Sequence, residues 1–274
     1  MIITMIQSYS LQGKRESNED QHVGILNINN QNKLINPVNL IGIFDGHGGK
    51  LVSKYLKTTL AKYIFKKTTI NIYDQRTNIT SNFFGKLYDK IQEDLVKAHP
   101  IAVKRCGSAA LCGVIYTDAK NNNNLWIVNV GDSRAVLYND VKKAIQLSTD
   151  HKPHYRSEKK RIEALGGKIK FDGVDWRIGD LSLSRAIGDL DNTPYVTHKP
   201  ELFRYRINAN DKFIIFACDG LWDVMSNKEA VDFVIMHKEG RYGGNIAKKL
   251  AEHAIQKGSY DNVTIIIYFF ILPK

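Results

Sequence analysis

The stretch Val38–Gly49, VNLIGIFDGHGG, organises the reading of the chain. Val38 to Phe44 is an apolar run bounded by turn formers, the pattern of a buried strand. It ends at Asp45, and Gly46 and His47 follow directly. An acid and an imidazole are thereby delivered together to a strand end. Gly48 and Gly49 leave the backbone free to turn, after which Val52, Tyr55, Leu56, Leu60 and Ile64 recur on one helix face. Alone, the same residues also describe an ordinary strand-turn-helix corner, with Asp45 as a cap and His47 on the surface.

The design recurs further on. Phe213–Met225, FIIFACDGLWDVM, is a second apolar strand that stops at an acid, Asp219, with Asp223 four residues later. Ser226 and Glu229 then have the spacing of a capping box that opens a helix. A helix over Asn245 to Gln256 leads into Tyr260-Asp261-Asn262 and a last strand, Val263 to Ile271, so Asp261 is an acid at a strand start. If these strands are neighbours in one sheet, Asp45, Asp219 and Asp261 converge. Carboxylates gathered at a core edge repel one another and lose hydration unless cations neutralise them. Hard divalent ions with oxygen ligands, Mg²⁺ or Mn²⁺, answer that need. The chain offers no HExxH stretch and no paired thiols as an alternative.

The remaining segments carry weaker signals. In Gln7 to His22, QSYSLQGKRESNEDQH, an extended backbone would put Arg15 and Glu19 on one face and Asp20 on the other. That is either an anion-binding Arg beside a metal-binding carboxylate or a solvated ion pair. A polar stretch, Asn71 to Asn82, precedes a helix expected over roughly Phe83 to Ala98, with Phe84, Leu87, Ile91 and Leu95 at helical spacing. Gly107 to Thr117, Leu125 to Val130 and Arg134 to Tyr138 read as an antiparallel meander, joined by the Asn121 to Asn124 run and by Gly131-Asp132-Ser133. Asp132 there has the look of a plain turn former. From Ser148 to Asp189 the chain is polar and glycine-rich. A short helix over His154 to Leu165, ended by Gly166-Gly167, is its main regular piece. Long irregular segments within a domain tend to be lids or binding loops, and His151, Lys152, Arg156 and Arg161 make this one basic.

Composition sets the outer bounds. At 274 residues and 43% hydrophobic content the chain is expected to form a single domain over 1–274. No apolar run reaches the length of a membrane span, and MIITMIQSYSLQ lacks the regions of a signal peptide. Together these predict a cytoplasmic or nuclear chain that does not insert into membranes. Cys106, Cys112 and Cys218 form no CxxC pair, and none has an Arg six positions on, which excludes the cysteine-nucleophile phosphatase signature. The net charge of +11 is spread over pairs such as Lys66-Lys67, Lys142-Lys143, Lys159-Lys160 and Lys248-Lys249. It favours anionic partners in general, a phosphorylated protein as much as a nucleic acid. No basic-aromatic motif supports a specific nucleic-acid role.

At this point the motifs add up. SLQGKRESNED, FDGHGG, GSAALCGVIY, NVGDSRAVL, DHKP, RIEALGG, RIGDLSLSRAIGD, ACDGLWDV and YDNVT occur in that order across nearly the whole chain. In that order they resemble the metal-dependent protein phosphatases of the PPM class, the protein phosphatase 2C family. The resemblance implies an α+β fold, a four-layer α-β-β-α sandwich of two antiparallel sheets flanked by helices. It implies hydrolysis of phosphoserine and phosphothreonine in phosphorylated protein substrates, by a water activated between two Mg²⁺ or Mn²⁺ ions and without a phosphoenzyme, in a monomer. Asp45 resembles the carboxylate bridging the two ions; Gly46 through its carbonyl and Glu19 would serve one, Asp219 and Asp261 the other. Asp20 resembles the acid that holds a water at the metals, Arg15 the residue that grips the substrate phosphate, and His47 the general acid for the leaving alkoxide. Asp132 matches the acid that joins Asp219 at a third, weaker ion, and Asp223 a further acid supporting the metals. Two positions depart from the family pattern: Ala109 stands where a Thr is common, and Lys14 where an aromatic is frequent. The rival of a different class is a pseudophosphatase that only binds partners, which would be expected to have lost metal acids. A calcineurin-like enzyme would need a GNHE-type stretch, and a haloacid-dehalogenase phosphatase an Asp where Leu221 stands.

Overall fold

The computed structural model describes residues 3–27, 38–68, 78–118, 122–239 and 244–271. Two five-stranded antiparallel sheets lie face to face. The first contains β2 (Gln21–Ile25), β3 (Val38–Phe44), β6 (Ala110–Thr117), β7 (Asn123–Val130) and β13 (Glu201–Arg206), in the order β13-β7-β6-β3-β2. The second contains β1 (Ile3–Leu11), β8 (Arg134–Asn139), β9 (Lys143–Gln146), β14 (Asp211–Ala217) and β15 (Val263–Ile271), in the order β1-β15-β14-β8-β9. Helices α1 (Leu51–Thr68) and α2 (Asn78–Ala98) cover the outer face of the first sheet. The outer face of the second carries α4 (Asp219–Trp222), α5 (Asn227–Glu239) and α6 (Ile246–Gln256). The four-layer α-β-β-α sandwich implied by the sequence resemblance is what forms.

Strand side chains alternate between these layers. In β3, Val38, Leu40 and Phe44 face the helices, whereas Ile41 and Ile43 face the other sheet. In β14, Phe213, Ile215 and Ala217 pack towards α5 and α6, while Ile214 and Phe216 enter the space between the sheets. Both faces of each central strand are covered, so these antiparallel strands read as unbroken apolar runs instead of alternating ones. Each fully buried Ile or Phe contributes about 1.5–3 kcal/mol relative to exposure. One polar contact crosses this apolar middle: Asn39 Nδ2 donates to Tyr268 Oη at 2.7 Å.

The fold corrects several expectations. β6 and β7 pair as read, but β8 belongs to the opposite sheet, so Gly131-Asp132-Ser133 carries the chain from one sheet to the other and closes no meander. Similarly, β14 and β15 are neighbours, whereas β3 lies in the facing sheet; Asp45, Asp219 and Asp261 meet across the sandwich and not along one sheet. Strands apolar on both faces give no periodic hint of which sheet they join. Helix α2 starts at Asn78, earlier than Phe83, within a segment of weak helix formers; residues 71–77 of that polar stretch lie outside the described residues. The chain from Gln12 to Asp20 is turns and irregular backbone, so no strand face orients Arg15 and Glu19.

Helix α3 (Arg156–Ala164), in the polar segment before the β10 (Lys170–Phe171) and β11 (Trp176–Arg177) hairpin, is held by charge. Buried Glu158 accepts from Arg185 Nη2 at 2.6 Å, from Arg161 Nη2 at 2.8 Å and from Ser184 Oγ at 2.8 Å. Burial pushes its carboxyl up, but the two guanidinium groups outweigh that and bring it down to about 2. A carboxyl depressed on folding stabilises fully above its unfolded value near 4.5, and that stability is lost as pH falls towards about 2. Glu158→Gln, which leaves two half-buried guanidinium groups uncompensated, is expected to cost about 3 kcal/mol in urea unfolding at pH 7. The difference from wild type should shrink at pH 3; a constant difference would show that packing, not charge, holds α3.

Candidate metal centre

Five chain segments meet at one end of the sandwich. The irregular loop after β1 supplies Arg15, Glu19 and Asp20; the end of β3 supplies Asp45; the sheet-crossing turn supplies Asp132; and the second sheet supplies Asp219 after β14 and Asp261 before β15. They line a cleft of about 870 Å³, which also takes in Gly46, His47, Lys152 and Asp223 on one side and Val174, Asp175 and Arg177 of the β10-β11 hairpin on another. Asp20 lies behind this lining, buried. All ten residues singled out in the sequence are thus gathered at one place.

Oxygens of Asp45, Asp132 and Asp219 lie within 4.8 Å of one another, and those of Asp20 and Asp45 lie within the same reach of Cys218 Sγ. Burial raises the Asp45 carboxyl well above the ordinary range, and Asp219, Asp20, Asp132 and Asp261 add to this. Asp219 is likewise raised well above it, by burial and by Asp132, against the opposing charge of Lys152. Burial lifts Asp20 to about 6, even though Thr264 Oγ1 donates to its Oδ2 at 2.6 Å. Asp223 is raised too, chiefly by burial. Asp20 Oδ1 is buried without a hydrogen-bond partner, and buried Asp132 Oδ2 lies 2.6 Å from the Lys152 ammonium. Crowded, desolvated carboxylates with spare lone pairs, all hard oxygen donors, fit divalent cations of the Mg²⁺ or Mn²⁺ type.

Local structure fixes these groups. Glu19 N donates to Asn262 Oδ1 at 2.9 Å, Ser53 Oγ donates to the Glu19 carbonyl, and Gly49 N donates to Glu19 Oε2 at 3.0 Å. A Cβ on Gly46 would meet the Glu19 carbonyl at 2.5 Å and Ser53 Oγ at 2.7 Å, so only glycine fits beside Asp45. Asn262 Nδ2 donates to the carbonyls of Gln12 and Ser17, at 2.7 and 3.0 Å, tying the irregular loop to the start of β15. Arg15 is an exposed arm whose Nη2 donates to Asp261 Oδ2 at 2.7 Å. Lys14, which departs from the family pattern, stacks its ammonium over the Tyr260 ring at 3.9 Å.

Three residues at the site were not singled out from sequence. Asp189, buried in the SRAIGD stretch, accepts from His47 Nε2 at 2.6 Å. Burial pulls the His47 imidazole down, but the hydrogen bond and charge of Asp189 outweigh it and leave it raised. Strands β4 (Gly46–His47), β5 (Gly107–Ser108) and β12 (Ile187–Gly188) form the small sheet that sets this contact. A Cβ on Gly107 would sit 2.0 Å from Asp189 Oδ2 and 2.5 Å from His47 Nε2. Asp189 itself holds a left-handed backbone, φ 51°, uncommon for a residue with a side chain. The other two are Asn262 and Lys152, which was read only as part of a basic loop. Asp189 in the SRAIGD stretch and Asn262 in YDNVT thus have partners that only the fold brings near.

The family model for protein phosphatase 2C matches residues 5–263. The "Probable protein phosphatase 2C 7" of Oryza sativa subsp. japonica is 37% identical over 266 residues, covering 97% of this chain and 65% of its own length. The "PP2C-like domain-containing protein R307" of Acanthamoeba polyphaga mimivirus is 49% identical over 170 residues, 54% of this chain and 94% of its own. Among solved structures, a serine-threonine phosphatase 2C from Toxoplasma gondii superposes with a TM-score of 0.80 at 23% identity, over 98% of this chain and 95% of that one. The chain belongs to the protein phosphatase 2C family. It spans about two thirds of the rice relative's length.

Cation binding to this centre should be visible as stability. With Mn²⁺ at about a hundred times its dissociation constant, a gain of about 2.7 kcal/mol is expected for one site. Asp219→Ala should lose most of that gain in thermal unfolding followed with and without EDTA. An undiminished gain in Asp219→Ala would place the cations elsewhere.

Proposed function

We propose that this chain is a metal-dependent serine/threonine protein phosphatase that hydrolyses phosphoserine and phosphothreonine by direct attack of water, with no phosphoenzyme. The observation that carries the reading is the meeting of Asp45, Asp132 and Asp219 oxygens within 4.8 Å of one another in a cleft that also presents Arg15 and His47. Family membership supports it. Asp45 would bridge two ions, with the Gly46 carbonyl and Glu19 towards one and Asp219 and Asp261 towards the other; Asp132, with Asp219 and supported by Asp223, would hold a third. Bound there, Mg²⁺ or Mn²⁺ would supply Lewis-acid chemistry, neutralising phosphoryl oxygens and lowering the pKa of water towards neutrality.

The chain's own residues do the rest. Arg15 offers a planar, permanently charged fork at the cleft mouth, which on leaving Asp261 could take two phosphoryl oxygens. Asp20 is aimed by Thr264 so that its open Oδ1 can hold a water against the metal acids. His47 donates Nε2–H to Asp189, which selects the tautomer and leaves Nδ1 to carry the proton for the departing Ser or Thr oxygen. A pseudophosphatase would be expected to lack metal acids, and Asp45, Asp219 and Asp261 are all present.

Two measurements test this. Phosphate release from a phosphothreonine peptide should require Mn²⁺ or Mg²⁺ and disappear in EDTA and in Asp219→Ala; no turnover by folded protein with either ion would refute the catalytic reading. Asp189→Asn should slow the phosphothreonine peptide by about 10²-fold, the scale of general acid catalysis, yet slow p-nitrophenyl phosphate much less, because that leaving group needs no proton. Equal losses on both substrates would show that Asp189 serves structure alone.

A further inference from the structure

We infer that Lys152 is an internal counter-ion seated where the third cation would bind, and that its displacement is what makes that cation weak. The inference rests on the proposed assignment of Asp132 and Asp219 to the third ion. Lys152 belongs to the DHKP stretch between β9 and α3, and its side chain is mostly buried. Its ammonium lies 2.6 Å from Asp132 Oδ2 and 3.8 Å from Asp219 Oδ2, between the two carboxylates in question. Among the described residues no other lysine or arginine pairs with either acid within 4.0 Å. Asp132, only 2% exposed, has its Oδ2 turned towards the Lys152 ammonium, so a cation binding at that oxygen has to take the place of the lysine.

The arrangement holds lysine and acid as one unit. His151 N donates to the Gly131 carbonyl and Gly131 N donates to His151 Nδ1, both at 3.1 Å. The residues preceding Lys152 and Asp132 are therefore fastened to each other. The ammonium cannot diffuse away from the carboxylate pair, although its four-carbon stem can swing. A dication entering there has to expel a tethered, mostly buried cation first, whereas among the described residues no lysine or arginine pairs with Asp45 or Glu19, and Asp261 pairs only with the exposed arm of Arg15. Occupancy by lysine also offsets part of the charge on Asp132 and Asp219 when the third ion is absent.

The test is Mn²⁺ binding without substrate, by equilibrium dialysis with electron paramagnetic resonance of the free ion. Asp132→Asn identifies the third event as the one it abolishes. In Lys152→Met the two tighter ions should be retained and the third should tighten by about tenfold, the scale of one ion pair lost. Lys152→Gln provides the same removal of charge with a polar end and stands in if the Met variant does not fold. In metal-free thermal unfolding both variants should be less stable than wild type, a deficit that disappears at saturating Mn²⁺. A third ion that binds equally or more weakly in both variants overturns the inference, as does wild-type protein that takes up only two ions. These readouts involve no turnover: a tightened third ion in a chain that releases no phosphate would count against the catalytic reading and leave Lys152 as assigned.

Discussion

Mutual repulsion among buried carboxylates is the constraint on which the rest of this structure depends. Asp45, Asp219, Asp20 and Asp223 are all pushed towards the neutral form by burial before any neighbour is counted. A fold optimised only for stability would not gather them. The sandwich tolerates the gathering because its core is large and apolar on both sides of each sheet, with residues such as Ile43, Phe216 and Ile266 wholly excluded from water. Neutralisation by cations would turn this local destabilisation into a binding site, consistent with the general link between strained electrostatics and function.

The sheet-crossing turn gives that site its depth. Had β8 continued the first sheet, Asp132 would sit at a solvent-facing hairpin. Instead, Gly131-Asp132-Ser133 bridges the two layers, and Asp132 is buried between them. Lys152, drawn in through His151, is placed by the same turn. One connection therefore sets both Asp132 and the lysine that faces it.

Much of this was legible in sequence, and the parts that were not have physical reasons. β3, β15 and the capping box at Ser226 and Glu229 follow from local pattern and appear as read: Ser226 N donates to Glu229 Oε2 at 2.8 Å, and β15 spans Val263–Ile271. The acids at strand ends could be found because an apolar run that stops at Asp is a local signal. Which sheet each strand joins could not, since strands covered on both faces carry no alternation. Asp189 was hidden for another reason: its partner, His47, is 142 residues away, and nothing in a single sequence pairs them. Buried Glu158 was masked by the charged residues around it, which resemble a solvated helix face until Arg185 and Ser184 arrive from outside the helix.

The side-chain amide of Asn262 has a consequence for the kinetics of recognition. By holding Gln12, Ser17 and Glu19 against the start of β15, it immobilises the irregular loop from which Arg15 projects. The conformational entropy of that loop, about 1–2 kcal/mol per residue fixed, is therefore lost once, during folding, and not again at every encounter with a ligand. What remains to be rearranged is the exposed arginine side chain itself, paired here with Asp261. A grip on an anion by Arg15, as proposed, would thus be preorganised down to its last few rotatable bonds, leaving little to order at the moment of capture.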